Sequence, residues 1–194
     1  HKNTPVHTSP YLAELVCSNS LKSELENTAQ GLLKKEMRIL GSVLLAAADQ
    51  VRVPAGSALA VDREAFARLV TEEIESHPLI SVIRQECTAI PAQGISIIAT
   101  GPLTSDALGR YLQEITGEEN YYFYDAVAPS ITLASLDQSQ VFRAARYGKG
   151  GEDYINCPLT REEYENFYEE LVKADASAGH SIDRGAFFEG CMPV

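Results

Sequence analysis

Two cysteines stand where a thiolate could do chemistry. Cys17 lies in Leu15-Val16-Cys17-Ser18-Asn19-Ser20, just ahead of a helical pattern, and a helix N-terminus lowers a thiol pKa and favours the thiolate. Ser18, Asn19 and Ser20 are equally good helix N-caps, which leaves open a plain helix start with a buried thiol. Cys191 sits in Phe187-Phe188-Glu189-Gly190-Cys191-Met192-Pro193, where glycine before and proline after predict an irregular exposed bend. Cys87 follows one strand pattern and Cys157 ends another, and both read as structural. No CxxC pair occurs, so neither a zinc site nor a disulfide framework is expected, and reduced cytoplasmic thiols are the default. His7, His77 and His180 are isolated, without ligand spacing, so no metal site is expected.

A second feature is backbone. Ile97-Ile98-Ala99-Thr100-Gly101-Pro102 is an apolar strand pattern ending in Ala-Thr-Gly, which lets a main chain approach a ligand where a side chain would collide. Two-domain flavoproteins close over their nucleotide with such a phrase, although a structural turn is the commoner reading. The dinucleotide fingerprint G-x-G-x-x-G is missing from the sequence: Gly148, Gly150 and Gly151 come near it, but no apolar strand feeds a helix there. Arg143, Arg146 and Lys149 around Tyr147 form the densest basic cluster, for which a solvated strand is the safer reading than a nucleic-acid contact.

The elements that position these residues follow from periodicity. Residues 1–10 read as loop, and a helical pattern runs from Leu21 towards Ala48, broken by Gly31 and Gly41 into shorter helices. Val53-Pro54-Ala55-Gly56 ends it. Asp62 is an N-cap for a helix carrying Phe66, Leu69, Val70 and Ile74, which stops at His77-Pro78. Leu79–Ile83 and Ile95–Thr100 read as strands, the second buried on both faces. A helix with Leu108, Tyr111, Leu112 and Ile115 follows, then the aromatic run Tyr121–Tyr124 and strands over Val141–Tyr147 and Tyr154–Cys157. Thr160 with Glu163 forms a capping box, ahead of a buried stripe of Tyr164, Phe167, Tyr168 and Leu171 on an otherwise acidic, solvated helix. The order of helices and strands predicts an α/β fold, with a boundary near residues 102–105.

Composition bounds the function. The 194 residues are 45% hydrophobic and 22% charged, ordinary for a globular protein, which excludes disorder and coiled coil. The longest uncharged apolar run, Val43–Ala48, is far too short to span a bilayer. The net charge of −11 counts weakly against a chain built to clamp phosphates. Because residue 1 is His and the chain stops inside an apolar phrase, an internal piece of a longer protein is expected.

Several phrases converge on one family. Leu15–Ser20, Arg52–Gly56, Ala58–Arg63, Ile98–Ser105, Tyr122–Asp125 and Phe188–Pro193, in that order, closely resemble the folate- and FAD-dependent tRNA (uracil-5-)-methyltransferases, the TrmFO or Gid family. The likeness covers essentially the whole chain. It implies an enzyme that makes 5-methyluridine in the T-loop of tRNA. Methylenetetrahydrofolate is then the carbon donor, reduced FAD the methylene carrier and hydride source, and NAD(P)H the reductant. By the same likeness Cys191 matches the nucleophile and Cys17 a second cysteine near the flavin, with the division of labour between them open. Ser18, Asn19, Ala99, Thr100 and Gly101 match FAD-binding positions. Residues 1–103 would form part of a Rossmann-like (glutathione-reductase-like) FAD-binding domain, and residues 104–194 part of an α+β insertion domain on the tRNA side. With the glycine loop missing, this chain alone is expected to bind FAD weakly or not at all and to be inactive. Two alternatives are another FAD-dependent tRNA-modifying enzyme or oxidoreductase of the GidA-like superfamily, and a non-enzymatic piece that merely folds and associates.

Overall fold

The computed structural model describes residues 7–16, 18–101, 104–117, 131–145, 148 and 151–174. Among them the chain is mixed α and β and divides into two compact units, one holding residues 7–10 and 81–117, the other 11–80 and 131–174.

The larger unit is built on a strand too short to have been expected. β3 (Ala58–Val61) lies between β1 (Ser20–Ser23) and β2 (Arg52–Val53) in an antiparallel sheet of order β1-β3-β2. Leu59 and Val61 are fully buried there, among Leu45, Ala47, Ala48, Phe66 and Val70 from the helices that cover the sheet. Those helices are α1 (Ala29–Ile39), α2 (Val43–Gln50) and α3 (Arg63–Ser76). Their boundaries follow from local chemistry. Thr28 accepts from the Gly31 amide, Ser42 from that of Leu45, and Asp62 from that of Ala65. Gly41, at φ +75°, separates α1 from α2, and α3 stops at His77 ahead of Pro78. A separate two-stranded antiparallel ribbon, β4 (Phe142–Ala144) with β5 (Tyr154–Asn156), falls within the two expected strand regions.

The helix expected from Leu21 instead begins at Ala29, because Ser20–Ser23 pairs with β3 as a strand. Gly31 does not break α1. It is buried inside the helix, pressed against the backbone of Leu25.

Neither Leu79–Ile83 nor Ile95–Thr100 forms a strand. Ile95 and Ile97 are 98% and 88% exposed, the opposite of burial on both faces. Strand propensity measures fit to a pleated, half-buried surface, and no neighbouring strand supplies one to these segments among the described residues. In the smaller unit α4 (Asp106–Thr116) is capped by Ser105 and ended by Gly117 at φ +69°. It buries Leu108 and Leu112 but leaves Ile115 exposed. The helix expected after Thr160 is present as α5 (Arg161–Lys173), with its capping box complete. Its stripe is not buried, however, and Tyr164, Phe167, Tyr168 and Leu171 are all about half exposed.

An ion-pair network braces the sheet to α1 and α2. Arg38 donates to both carboxylate oxygens of Asp49 at 2.8 Å and to Glu24 at 2.5 Å, while the other Glu24 oxygen receives Arg52. The Arg38 hydrogen bonds hold the Asp49 carboxyl below its ordinary 3.8, against the opposing effect of partial burial. A depressed carboxylate stabilises the fold above its unfolded pKa and loses that contribution as pH falls through the folded value. Asp49→Asn should therefore flatten the acid side of a stability-versus-pH curve, measured by urea denaturation, below about pH 4. At neutral pH its cost should stay near 1 kcal/mol, because the pair is partly open to solvent.

Candidate functional site

The segment that carries Cys17 is tied on both flanks. Ahead of it, the Leu12 amide donates to Thr71 Oγ1 on α3 at 2.8 Å, and the same hydroxyl donates to Ala67 O. Behind it, Asn19 grips one residue of the central strand twice. Its carbonyl accepts from the Val61 amide at 3.0 Å, and its Nδ2 donates to Val61 O at 3.0 Å. Ser18 is exposed, and its hydroxyl accepts from the Ser20 amide at 3.1 Å. Cys17 itself lies outside the described residues. The chain after it enters a strand and reaches no helix until Ala29, so the expectation that a helix N-terminus lowers its thiol pKa fails. Ser18, Asn19 and Ser20 are likewise not N-caps, because β1 begins at Ser20 and no helix starts before Ala29.

Ala99, Thr100 and Gly101 belong to the smaller unit, whereas Ser18 and Asn19 belong to the larger. All three are exposed and form a bend rather than the end of a buried strand. Thr100 Oγ1 and Thr104 Oγ1 are 2.6 Å apart, and the Thr104 hydroxyl donates to Gly101 O at 2.8 Å, closing the bend ahead of α4. Gly101 takes φ +65°, with nothing within 4 Å of the place a Cβ would occupy. The positive φ is one that glycine adopts without strain, and an added side chain would be disfavoured there whatever the space around it.

Cys191, Arg146, Tyr147, Lys149, His180 and the aromatic run Tyr121–Tyr124 lie outside the described residues. Cys87 and Cys157 are both exposed, and the Cys87 thiol donates to Ala89 O at 3.2 Å. Arg143 is exposed on β4. Among the described residues no group of His, Cys, Asp or Glu could hold a metal ion, and no helix is long and apolar enough to cross a membrane.

Sequence reasoning missed a clamp on Pro54–Ser57, the turn joining β2 to β3. Asp153 Oδ2 accepts from the Gly56 amide at 2.6 Å, and the Tyr154 hydroxyl donates to Ala55 O at 2.8 Å. The ribbon of β4 and β5 is thereby fastened to the end of β3 opposite Asn19. Two short apolar runs around Pro-Ala-Gly-Ser were a hairpin signal that could have found the turn. Its partners, nearly a hundred residues away, leave no local trace.

Mixed helices and antiparallel strands fit many classes of protein, and family comparison makes the class definite. The family described as glucose inhibited division protein A matches residues 5–194, and the chain belongs to it. Curated relatives named methylenetetrahydrofolate–tRNA-(uracil-5-)-methyltransferase TrmFO are similar along the whole chain. The one from Syntrophomonas wolfei is 63% identical over 193 residues, and those from Moorella thermoacetica and Desulforudis audaxviator are 57% and 56% identical. Each alignment takes in 100% of this chain but 44% of the relative, so the chain spans under half the length of these proteins.

Proposed function

We propose that the chain is part of a cytoplasmic, flavin-dependent methyltransferase that makes 5-methyluridine in the T-loop of tRNA. Methylenetetrahydrofolate would be its carbon donor and NAD(P)H its reductant. The observation that carries this reading is identity of up to 63% along the whole chain to relatives bearing that name. Residues 1–103 would contribute to the FAD-binding domain and residues 104–194 to the insertion domain facing tRNA.

FAD, bound and reduced, would carry the methylene and supply the hydride. Ser18, Asn19 and the Ala99–Gly101 bend are the residues of this chain proposed to hold it. The Asn19 amide nitrogen is already committed to Val61 O and the Ser18 hydroxyl oxygen accepts from the Ser20 amide, which leaves Asn19 Oδ1 as an acceptor and the Ser18 hydroxyl proton as a donor for a ligand. Uracil C5 is a poor nucleophile until a thiolate adds at C6. The Cys191 thiolate would form that C6–S bond and place the electron pair on C5. After C5 has gained its new carbon, loss of the C5 proton breaks the C6–S bond and returns the thiolate. The target uridine must leave its stack to reach the thiol.

The test is a visible absorption spectrum of the full-length gene product, purified without added cofactor, followed by a tRNA methylation assay. A flavin spectrum with folate-dependent formation of 5-methyluridine is expected, and a colourless protein that refuses FAD would overturn the reading. The 194-residue chain, lacking the glycine-rich loop, should show neither flavin nor turnover. A second reading, another FAD-dependent tRNA-modifying enzyme or oxidoreductase of the GidA-like superfamily, is favoured by the family match alone. It would give the spectrum without 5-methyluridine.

A further inference from the structure

We propose that the cavity beside Lys34 is a binding site for a small, flat apolar molecule carrying one carboxylate. The cavity holds about 500 Å³, a size suited to a one- or two-ring molecule. Its lining includes Leu15, Leu21, Leu33, Met37, Leu44 and Phe66, and it lies wholly within the larger unit. The charged side chains that line it are Lys22, Lys34 and Glu14, one positive charge in excess on a chain of net charge −11.

Lys34 is the unusual member. It is 7% exposed, on the buried side of α1, and lysine is almost never buried without a partner. Its Nζ donates to Ser23 O at 2.9 Å and to Gln30 O at 3.2 Å. An ammonium has three protons, so one is left over. Burial also pushes the Lys34 pKa down, ahead of the opposing attraction of Glu24, so the charged form gains from an anion brought alongside. A tether between α1 and β1 would account for the two carbonyl bonds but not for the open apolar volume next to them. Lys22, the second cation of the lining, lies on β1 at φ +66°, a conformation few non-glycine residues adopt. The proposal rests on Lys34 and the apolar lining alone and does not depend on the thiol chemistry above.

Met37 gives a local reporter, because the sequence contains only two methionines. The 194-residue chain labelled with ¹³C at the methionine methyl should show two signals, and Met37→Leu identifies the one in the cavity. Titration with 1-naphthoate should move the Met37 signal saturably, at least about ten-fold more tightly than neutral 1-naphthalenemethanol. Lys34→Met should abolish that preference, and Lys34→Arg should keep it. The proposal is overturned if naphthoate leaves the Met37 signal in place, if the neutral alcohol binds the unsubstituted chain equally well, or if Lys34→Met retains the preference. The comparison of the two probes needs no variant, so a Lys34 substitution that fails to fold does not protect the proposal.

Discussion

Replacing Cys191 by Ala in the full-length gene product should abolish methyl transfer, by on the order of a thousand-fold or more, while leaving the flavin spectrum in place. The size of the effect follows from the chemistry. Without addition of sulfur at C6, the uracil ring offers almost no electron density at C5, and no positioning of the donor replaces it. Cys191→Ser should fail nearly as badly, because a serine hydroxyl near neutral pH holds its proton far more tightly than a thiol does. An enzyme that used its flavin for redox chemistry alone would survive both substitutions, so retained activity would favour the GidA-like alternative. The readout is tritium release from C5-labelled tRNA together with the visible spectrum of each variant. Cys17→Ala separates the two thiols. A residue that only shapes the flavin pocket should alter flavin content or spectrum, whereas a second nucleophile should alter rate at constant flavin.

What could be read in advance was the chemistry that acts within a few residues. Asp62 ahead of Phe66, Thr160 with Glu163, and His77-Pro78 each fix a helix boundary through contacts four residues away or less, and all three stand in the structure as expected. In the larger sheet β1 was not legible, because Ser20–Ser23 is too short to show alternation and exists only by pairing with β3, while the hairpin of β2 and β3 left only the faint signal of two short apolar runs around Pro-Ala-Gly-Ser. Ile95–Thr100 and the α5 stripe fail in the opposite direction. Their apolar pattern is real, but burial is a property of what lies opposite, and among the described residues nothing covers either. The site divides the same way. The phrases around Cys17 and Thr100-Gly101 were visible as motifs, whereas the Asn19 grip on Val61, the Asp153 and Tyr154 clamp and the burial of Lys34 all depend on partners distant in sequence.

Gly31 carries that point to a measurable end. Glycine within a helix ordinarily costs about 1 kcal/mol relative to alanine, so Gly31→Ala should stabilise α1 if local propensity ruled. In the folded chain the sign reverses. An added Cβ would stand 2.0 Å from Leu25 O, 2.5 Å from Leu25 C and 2.8 Å from Glu24 C, all backbone atoms that cannot rotate away. Leu25 O is the acceptor for both the amide and the hydroxyl of Thr28, and Thr28 in turn caps the Gly31 amide. Moving Leu25 therefore undoes the start of α1, and moving Glu24 drags on the carboxylate that joins Arg38 to Arg52. Gly31→Ala should lower stability by about 2–3 kcal/mol, the cost of overpacking against a fixed wall, measured as the shift in a urea unfolding curve. Gly41→Ala is the control. It forces φ +75° on a residue with open space around it and should cost about 1 kcal/mol, from backbone conformation alone. If Gly41→Ala proved the more damaging of the two, the segment at Leu25 would have to yield freely. The close approach of helix to loop would then play no part in holding α1 against the sheet.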